Sequence, residues 1–262
     1  MLDLKHVPEM PPDIEICECT TLDELAECVQ VQREVFALPE EELSPVRHFV
    51  VTKNVGGFAL GAYEGKRLAG FVLSVPAYLR GERAFYSHMT GVRPEYQSLG
   101  LGARLKWAQR ERALAEGVRF IKWTFEPVKA RNAYFNLEKL GAIAREFQVN
   151  FYGTDYGTAP EIAGARIGLA SDRLFAEWHL ESDKVNALAA GEIFDEPQEP
   201  AATIVIMNDW LGLVQFDPER AKAEHLRIRR EFQEAFGYGF VARGFLRDDD
   251  RPGFLLYRSE DV

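Results

Sequence analysis

The chain has 262 residues, 47% of them hydrophobic, and its 31 Lys and Arg against 41 Asp and Glu give a net charge of -10. That length suffices for one large core or two modest ones, while the acidic balance argues against non-specific binding to nucleic acid or an anionic membrane and leaves room for a local basic pocket. No run approaches the ~18 unbroken apolar residues of a membrane span, and the opening MLDLKHVPEM lacks the apolar core of a signal peptide, so a cytoplasmic protein is expected. Cys17, Cys19 and Cys28 are odd in number and lack Cys or His partners at zinc spacing, which points to reduced thiols and no metal.

In chain order, Thr21-Leu22-Asp23-Glu24 has the spacing of a capping box and predicts a helix running to about Phe36. Phe58 to Tyr63 and Leu68 to Val75 read as a hairpin around Glu64-Gly65-Lys66-Arg67. Ala84 to Val92 is rich in aromatic, β-branched and small residues and ends near Pro94, as a strand would. From Leu101 to Gly117 the repeat of Leu101, Leu105, Ala108 and Arg112, or of Leu105, Ala108 and Ala115, predicts a helix stopped by Gly117. Between strand and helix, Gly100 and Gly102 carry no Cβ, so a ligand can come close to the N–H groups of the first helical turn. Those donors, at the positive end of a helix, suit a phosphate.

Phe120 to Phe125 reads as a buried strand ended by Glu126-Pro127, Ala130 to Leu140 as a short helix closed by Gly141, and Phe147 to Gly153 as another strand. Thr154 to Gly168 is a Gly-, Ala- and Pro-rich connecting loop. Arg173 to Leu180 alternates like a strand, Glu192 to Ala201 reads as exposed, and Thr203 to Met207 is β-branched. Pro218 to Phe236 is a charged amphipathic helix, with Tyr238 to Leu246 and Phe254 to Tyr257 as closing strands. Asp248-Asp249-Asp250 lies between Arg247 and Arg251 without EF-hand spacing and reads as a solvated turn.

Gln97-Ser98-Leu99-Gly100-Leu101-Gly102, led in by Val92-Arg93-Pro94-Glu95-Tyr96, resembles the Gln/Arg-x-x-Gly-x-Gly/Ala motif of the GNAT N-acetyltransferase superfamily. No Lys-Ser/Thr pair follows the glycines as in a Walker loop, and one glycine of a Rossmann fingerprint is missing. The order of elements and Leu140-Gly141-Ala142 extend the resemblance over roughly residues 14 to 153. Ser87-His88-Met89, Trp123 to Pro127, Asn132 with Asn136, Asn150 to Gly153, and Ser171 to Leu174 with Trp178 resemble a predicted-acetyltransferase subgroup of similar length, some of whose relatives are linked to N-succinylation of amino acids.

The resemblance implies an α+β (mixed α/β) GNAT acyl-CoA acyltransferase fold over residues 1–153, with a smaller C-terminal α+β extension over residues 154–262. It implies acetyl-CoA or another acyl-CoA as cosubstrate and direct transfer to the amine of a small molecule such as an amino acid. The alternatives are a succinyl-CoA-type transferase and a degenerate fold that binds CoA or a protein partner without turnover; a homodimer is left open. Carried over by position, Thr90 and Val92 would offer backbone contacts to pantetheine, with Asn132 near the same arm. Gly100, Leu101, Gly102 and Ala103 would offer N–H groups to the diphosphate, and Gln97 occupies the first motif position.

Many members of the family place an acidic Tyr four residues before the terminal Gly of the motif helix; that place is Leu137 here, leaving Tyr134 and Tyr152 as candidate acids. His88 is the candidate base, since an ordinary imidazole pKa suits proton acceptance at neutral pH, with water as the other route. Arg173 and Trp178 suggest that the C-terminal part supplies a cation for an acceptor or acyl carboxylate, unless Arg173 pairs with Asp172.

Overall fold

A computed structural model describes residues 13–36, 38–156 and 167–259; the opening MLDLKHVPEM and most of the 154–168 loop lie outside them. Two compact units divide between Ile121 and Lys122.

The first unit begins with β1 (Ile14–Glu18), α1 (Leu22–Phe36) and α2 (Val46–Asn54), and continues through β2 (Phe58–Glu64), β3 (Arg67–Leu79), β4 (Glu82–Val92) and α3 (Leu101–Ala115). The strands lie in the order β1-β2-β3-β4, each antiparallel to its neighbour. The capping box forms as its spacing predicts: the Thr21 N–H donates to Glu24 Oε2 at 2.8 Å, and the Glu24 N–H to Thr21 Oγ1 at 3.3 Å. The N–H donors of Thr21 and then Thr20 hold the Glu24 carboxyl below its ordinary pKa.

Alternation along β3 assigns its two faces. Phe71 and Leu73 pack with Leu25, Cys28, Val29 and Phe49 of α1 and α2, and each such buried side chain contributes on the order of 1.5–3 kcal/mol. Ser74 turns the other way and accepts a hydrogen bond from Gln109 of α3. Helix α3 therefore departs from its predicted face. It buries Leu101 and Leu105 as expected, but Lys106, Gln109, Arg110 and Ala113 in place of Ala108 and Arg112.

Strand β5 (Phe120–Phe125) carries the boundary between units. Beyond it follow α4 (Ala130–Tyr134), β6 (Ile143–Gln148), β7 (Arg173–His179), α5 (Asp183–Ala189), β8 (Ala202–Val205), α6 (Trp210–Phe216), α7 (Pro218–Gly237), β9 (Phe240–Leu246) and β10 (Gly253–Arg258). The strand order is β5-β7-β6-β9-β10-β8. β7, from beyond Gly153, lies between β5 and β6. Asp217 caps α7 through the Arg220 N–H at 3.1 Å with Pro218 at the first helical position, and Phe232 of this helix stacks on Phe147 and meets Phe254 edge-on.

Two local readings are corrected. The strand predicted over 147–153 is β6, ending at Gln148, and Tyr152 lies in the turn after it. Asn150 and Gly153 take φ of +51° and +96°, outside the extended region, and the Asn150 N–H donates to Asp172 Oδ1 at 3.0 Å. The helix predicted over Ala130 to Leu140 is α-helical only through Tyr134. Phe135–Lys139 widen into a π-turn closed by the Leu140 N–H donating to the Phe135 carbonyl at 3.1 Å.

Candidate functional site

The site is built where β4 hands over to α3. After Val92 the chain makes a short 3-10 turn at Pro94–Tyr96; Tyr96 is buried and its hydroxyl donates to Glu64 Oε2 at 2.5 Å. Gln97 Nε2 donates to the Val92 carbonyl at 2.9 Å, so this side chain ties the turn to the strand end. Gly100 caps α3 with φ +80° and ψ 1°, a left-handed conformation that disfavours other residues.

Among the described residues, the N–H groups of Gly100, Leu101 and Gly102 donate to no protein group. Ala103 differs from the expectation: its N–H donates to the Gly100 carbonyl at 3.0 Å, inside the first turn. Three donors therefore converge on a helix N-terminus whose first turn carries no acid, and a Cβ added at Gly100 or Gly102 would meet nothing within 4 Å. The arrangement presents a positive, sterically open cradle for an anion.

Thr90 and Val92 stand at the C-terminal end of β4, opposite Val72 and Gly70 of β3. The ladder pairs Leu73 with Met89 and Ser74 with Ser87, leaving His88 as the extra residue of a β-bulge. Its Nε2 lies 3.2 Å from Ser44 Oγ, and its ring centroid 5.3 Å from that of His48. Its side chain is exposed, yet the protein packed around the ring, and then His48, pull its pKa down to about 4. His88 is neutral at pH 7 and is a weaker base than the sequence suggested.

Beneath the same strands lies a buried polar cluster that sequence periodicity did not show. Lys106 Nζ donates to Ser87 Oγ at 3.0 Å and Gln109 Oε1 at 2.7 Å, and Gln109 Nε2 donates to Ser74 Oγ at 2.7 Å. Burial pushes the Lys106 amine well below its ordinary pKa of 10.5. Between its folded and unfolded pKa values the unfolded chain binds more protons. The stability tied to this amine is therefore present above 10.5 and is lost as pH falls towards the folded value. Lys106→Met is expected to remove a slope of up to about 1.4 kcal/mol per pH unit. Urea midpoints of both proteins between about pH 7 and pH 9.5 check this, and equal slopes would contradict it.

The remaining candidates belong to the second unit. Asn132 is exposed on α4. Tyr134 meets two cations, with Lys139 Nζ 5.6 Å and the Arg247 guanidinium carbon 5.4 Å from its ring centroid. Tyr152 shares a hydrogen bond with Thr124 Oγ1 at 3.2 Å, stacks on Tyr156, and lies under the Arg173 guanidinium at 5.2 Å. Leu137 is fully buried, and the adjacent Asn136 accepts a hydrogen bond from Trp123 Nε1 at 3.2 Å. Trp178 is fully buried too, so it is a core residue and not a ligand contact. Asp172 pairs with Arg229, not with Arg173.

The mixed α/β fold is that of solved GNAT acetyltransferase structures. Three solved structures share the fold. A ribosomal-protein-S18-alanine N-acetyltransferase from Escherichia coli has a TM-score of 0.51 at 16% identity, over 71% of this chain and 98% of its own. A protein from Desulfovibrio desulfuricans assigned to the GNAT acetyltransferases has a TM-score of 0.51 at 16% identity, over 64% and 99%. A Salmonella typhimurium protein assigned as an acetyltransferase, solved with its cofactor acetyl-CoA, has a TM-score of 0.50 at 14% identity, over 64% and 95%. No curated protein matches the sequence. Residues 22–142, a little under half of the chain, match the model of the acetyltransferase (GNAT) family. Among the described residues, no helix is long and apolar enough to cross a membrane.

Proposed function

We propose that this protein is an acetyl-CoA-dependent N-acetyltransferase acting by direct transfer on the amine of a small molecule such as an amino acid. The observation that carries the cofactor reading is the trio of uncommitted N–H donors at Gly100, Leu101 and Gly102, which suits a diphosphate. In this reading Thr90 and Val92 offer backbone groups to the pantetheine arm, and Asn132 is a further contact to it. Gln97 acts by fixing the turn. Residues 1–153 carry acyl-CoA binding and residues 154–262 are the extension, as a division of roles and not of compact units.

The chemistry required is attack of a neutral amine on a thioester, so the protein places the nucleophile, takes up a proton and stabilises developing negative charge. His88 is the proposed proton acceptor because it is uncharged at pH 7 and stands on the β4 bulge. Tyr134 and Tyr152 are the proposed proton donors to the leaving thiolate.

Thiol release from acetyl-CoA with a panel of amino acids tests the proposal. Acceptor-dependent release is expected, with His88→Ala lowering kcat/KM by about a hundredfold. The acid limb of the wild-type profile is expected near pH 4 rather than near 6.5, since protonation below that value removes the acceptor. An unchanged rate and profile in the variant would assign the proton to water. The buried Leu137 at the place of the family's Tyr favours a second reading, binding without turnover; acetyl-CoA binding with no release for any amine would establish it.

A further inference from the structure

A shallow cleft, open to solvent, lies wholly within the second unit. Its lining includes Glu126, Asp172, Arg173, Trp210, Tyr156 and His225. Neither carboxylate calls for a ligand. Asp172 is 2% exposed and is held by Arg229 through two bonds of 2.7 and 3.0 Å, while Glu126 bonds to Lys129 at 2.8 Å. His225 is kept below its ordinary pKa by burial, against the opposing pull of Asp172, and adds no charge at pH 7.

Arg173 is different. It is 6% exposed, and among the described residues its guanidinium makes one hydrogen bond, from NH1 to the Asp172 carbonyl at 3.2 Å. The nearest carboxylate oxygen, Glu126 Oε1, is 3.7 Å away, beyond hydrogen-bond reach, and the other neighbour is the face of Tyr152. A planar cation with five donors, this deeply buried and this little bonded, has bidentate capacity to spare, and a planar carboxylate matches that fork.

We propose that this cleft binds a small monocarboxylate whose apolar or aromatic body lies against Trp210 and Tyr156. Its carboxylate bonds to Arg173. The flat carboxylate matches the guanidinium fork, and the aromatic walls favour a ligand with an apolar body over phosphate. The site is distinct from the glycine turn, which lies in the first unit, and the proposal does not rest on acyl transfer. Thiol release forms no part of its test, so failure of either reading leaves the other measurable.

Titration of the full chain at pH 7 with phenylacetate, phenylacetamide and inorganic phosphate provides the test, followed by calorimetry and by the NMR signals of Trp210 and His225. Phenylacetate is expected to bind with a Kd below about 10 mM, to shift both signals, and to bind at least about tenfold more tightly than the uncharged amide or phosphate. Arg173→Gln is expected to erase the preference for acid over amide, and Arg173→Lys to keep part of it. If Arg173→Gln does not fold, the acid–amide comparison on the wild-type chain decides alone. Equal binding of acid and amide, tighter binding of phosphate, no saturation by phenylacetate, or binding that moves neither signal would overturn the proposal.

Discussion

Acetyl-CoA affinity is expected to fall about a hundredfold, about 2.7 kcal/mol, when Gly100 is replaced by Asp. The side chain would stand at the cap of α3, beside the three N–H donors assigned to the diphosphate, and would bring a negative charge to the helix end that attracts an anion. The fold should tolerate it. A Cβ at Gly100 meets nothing within 4 Å, and Asp is among the residues that enter the left-handed region and cap helices, which offsets part of the roughly 1–2 kcal/mol cost of φ +80°. Gly100→Ala separates the two effects, since it bears the conformational cost without the charge and should lose no more than about tenfold. Calorimetric titration with acetyl-CoA at low and high salt reads both variants. The difference between Asp and Ala should shrink as salt screens the charge. Undiminished affinity in Gly100→Asp would remove the phosphate cradle.

The largest effect on stability is expected at Trp178, where substitution by Ala should cost about 3–5 kcal/mol. The indole is fully buried, meets Trp123 edge-to-face at 5.8 Å, and its Nε1 donates to the Leu140 carbonyl at 2.7 Å, next to the end of the π-turn. Removing it opens a cavity and strips a partner from a buried carbonyl, two costs that add. Trp178→Phe keeps most of the ring volume and loses the hydrogen bond, so a smaller loss of about 1–3 kcal/mol is expected. Urea midpoints with unchanged m-values measure both. A side chain that served only the cleft would instead leave stability untouched and alter substrate binding alone.

Legibility followed the range of the interaction. The capping box at Thr21 and Glu24, the helix at Pro218 and the glycine turn at Gly100 are written within a few neighbouring residues, because caps and turns close hydrogen bonds over three or four positions. The open N–H groups of that turn were legible for that reason, apart from Ala103, whose N–H is spent on the first turn. The π-turn at Phe135–Lys139 was not legible, since an α-turn and a π-turn share the same apolar spacing until packing chooses between them. The short helices α2, α5 and α6 were missed because seven to nine residues hold too little periodicity to register.

By itself, the sequence determined the mixed α/β class, the strand-to-helix turn and the family motif, all properties of local chemistry along the chain. Tertiary structure decided which polar groups are committed. It spent Gln97 on the Val92 carbonyl, buried Lys106 against Ser87 and Gln109, placed Trp178 in the core, gave Asp172 to Arg229, and left Arg173 with a single hydrogen bond in a cleft. The physical reason is that desolvation and hydrogen-bond partners are set by whatever distant segments fold against a residue, so one side chain can read as a ligand contact in sequence and prove to be structural in the fold.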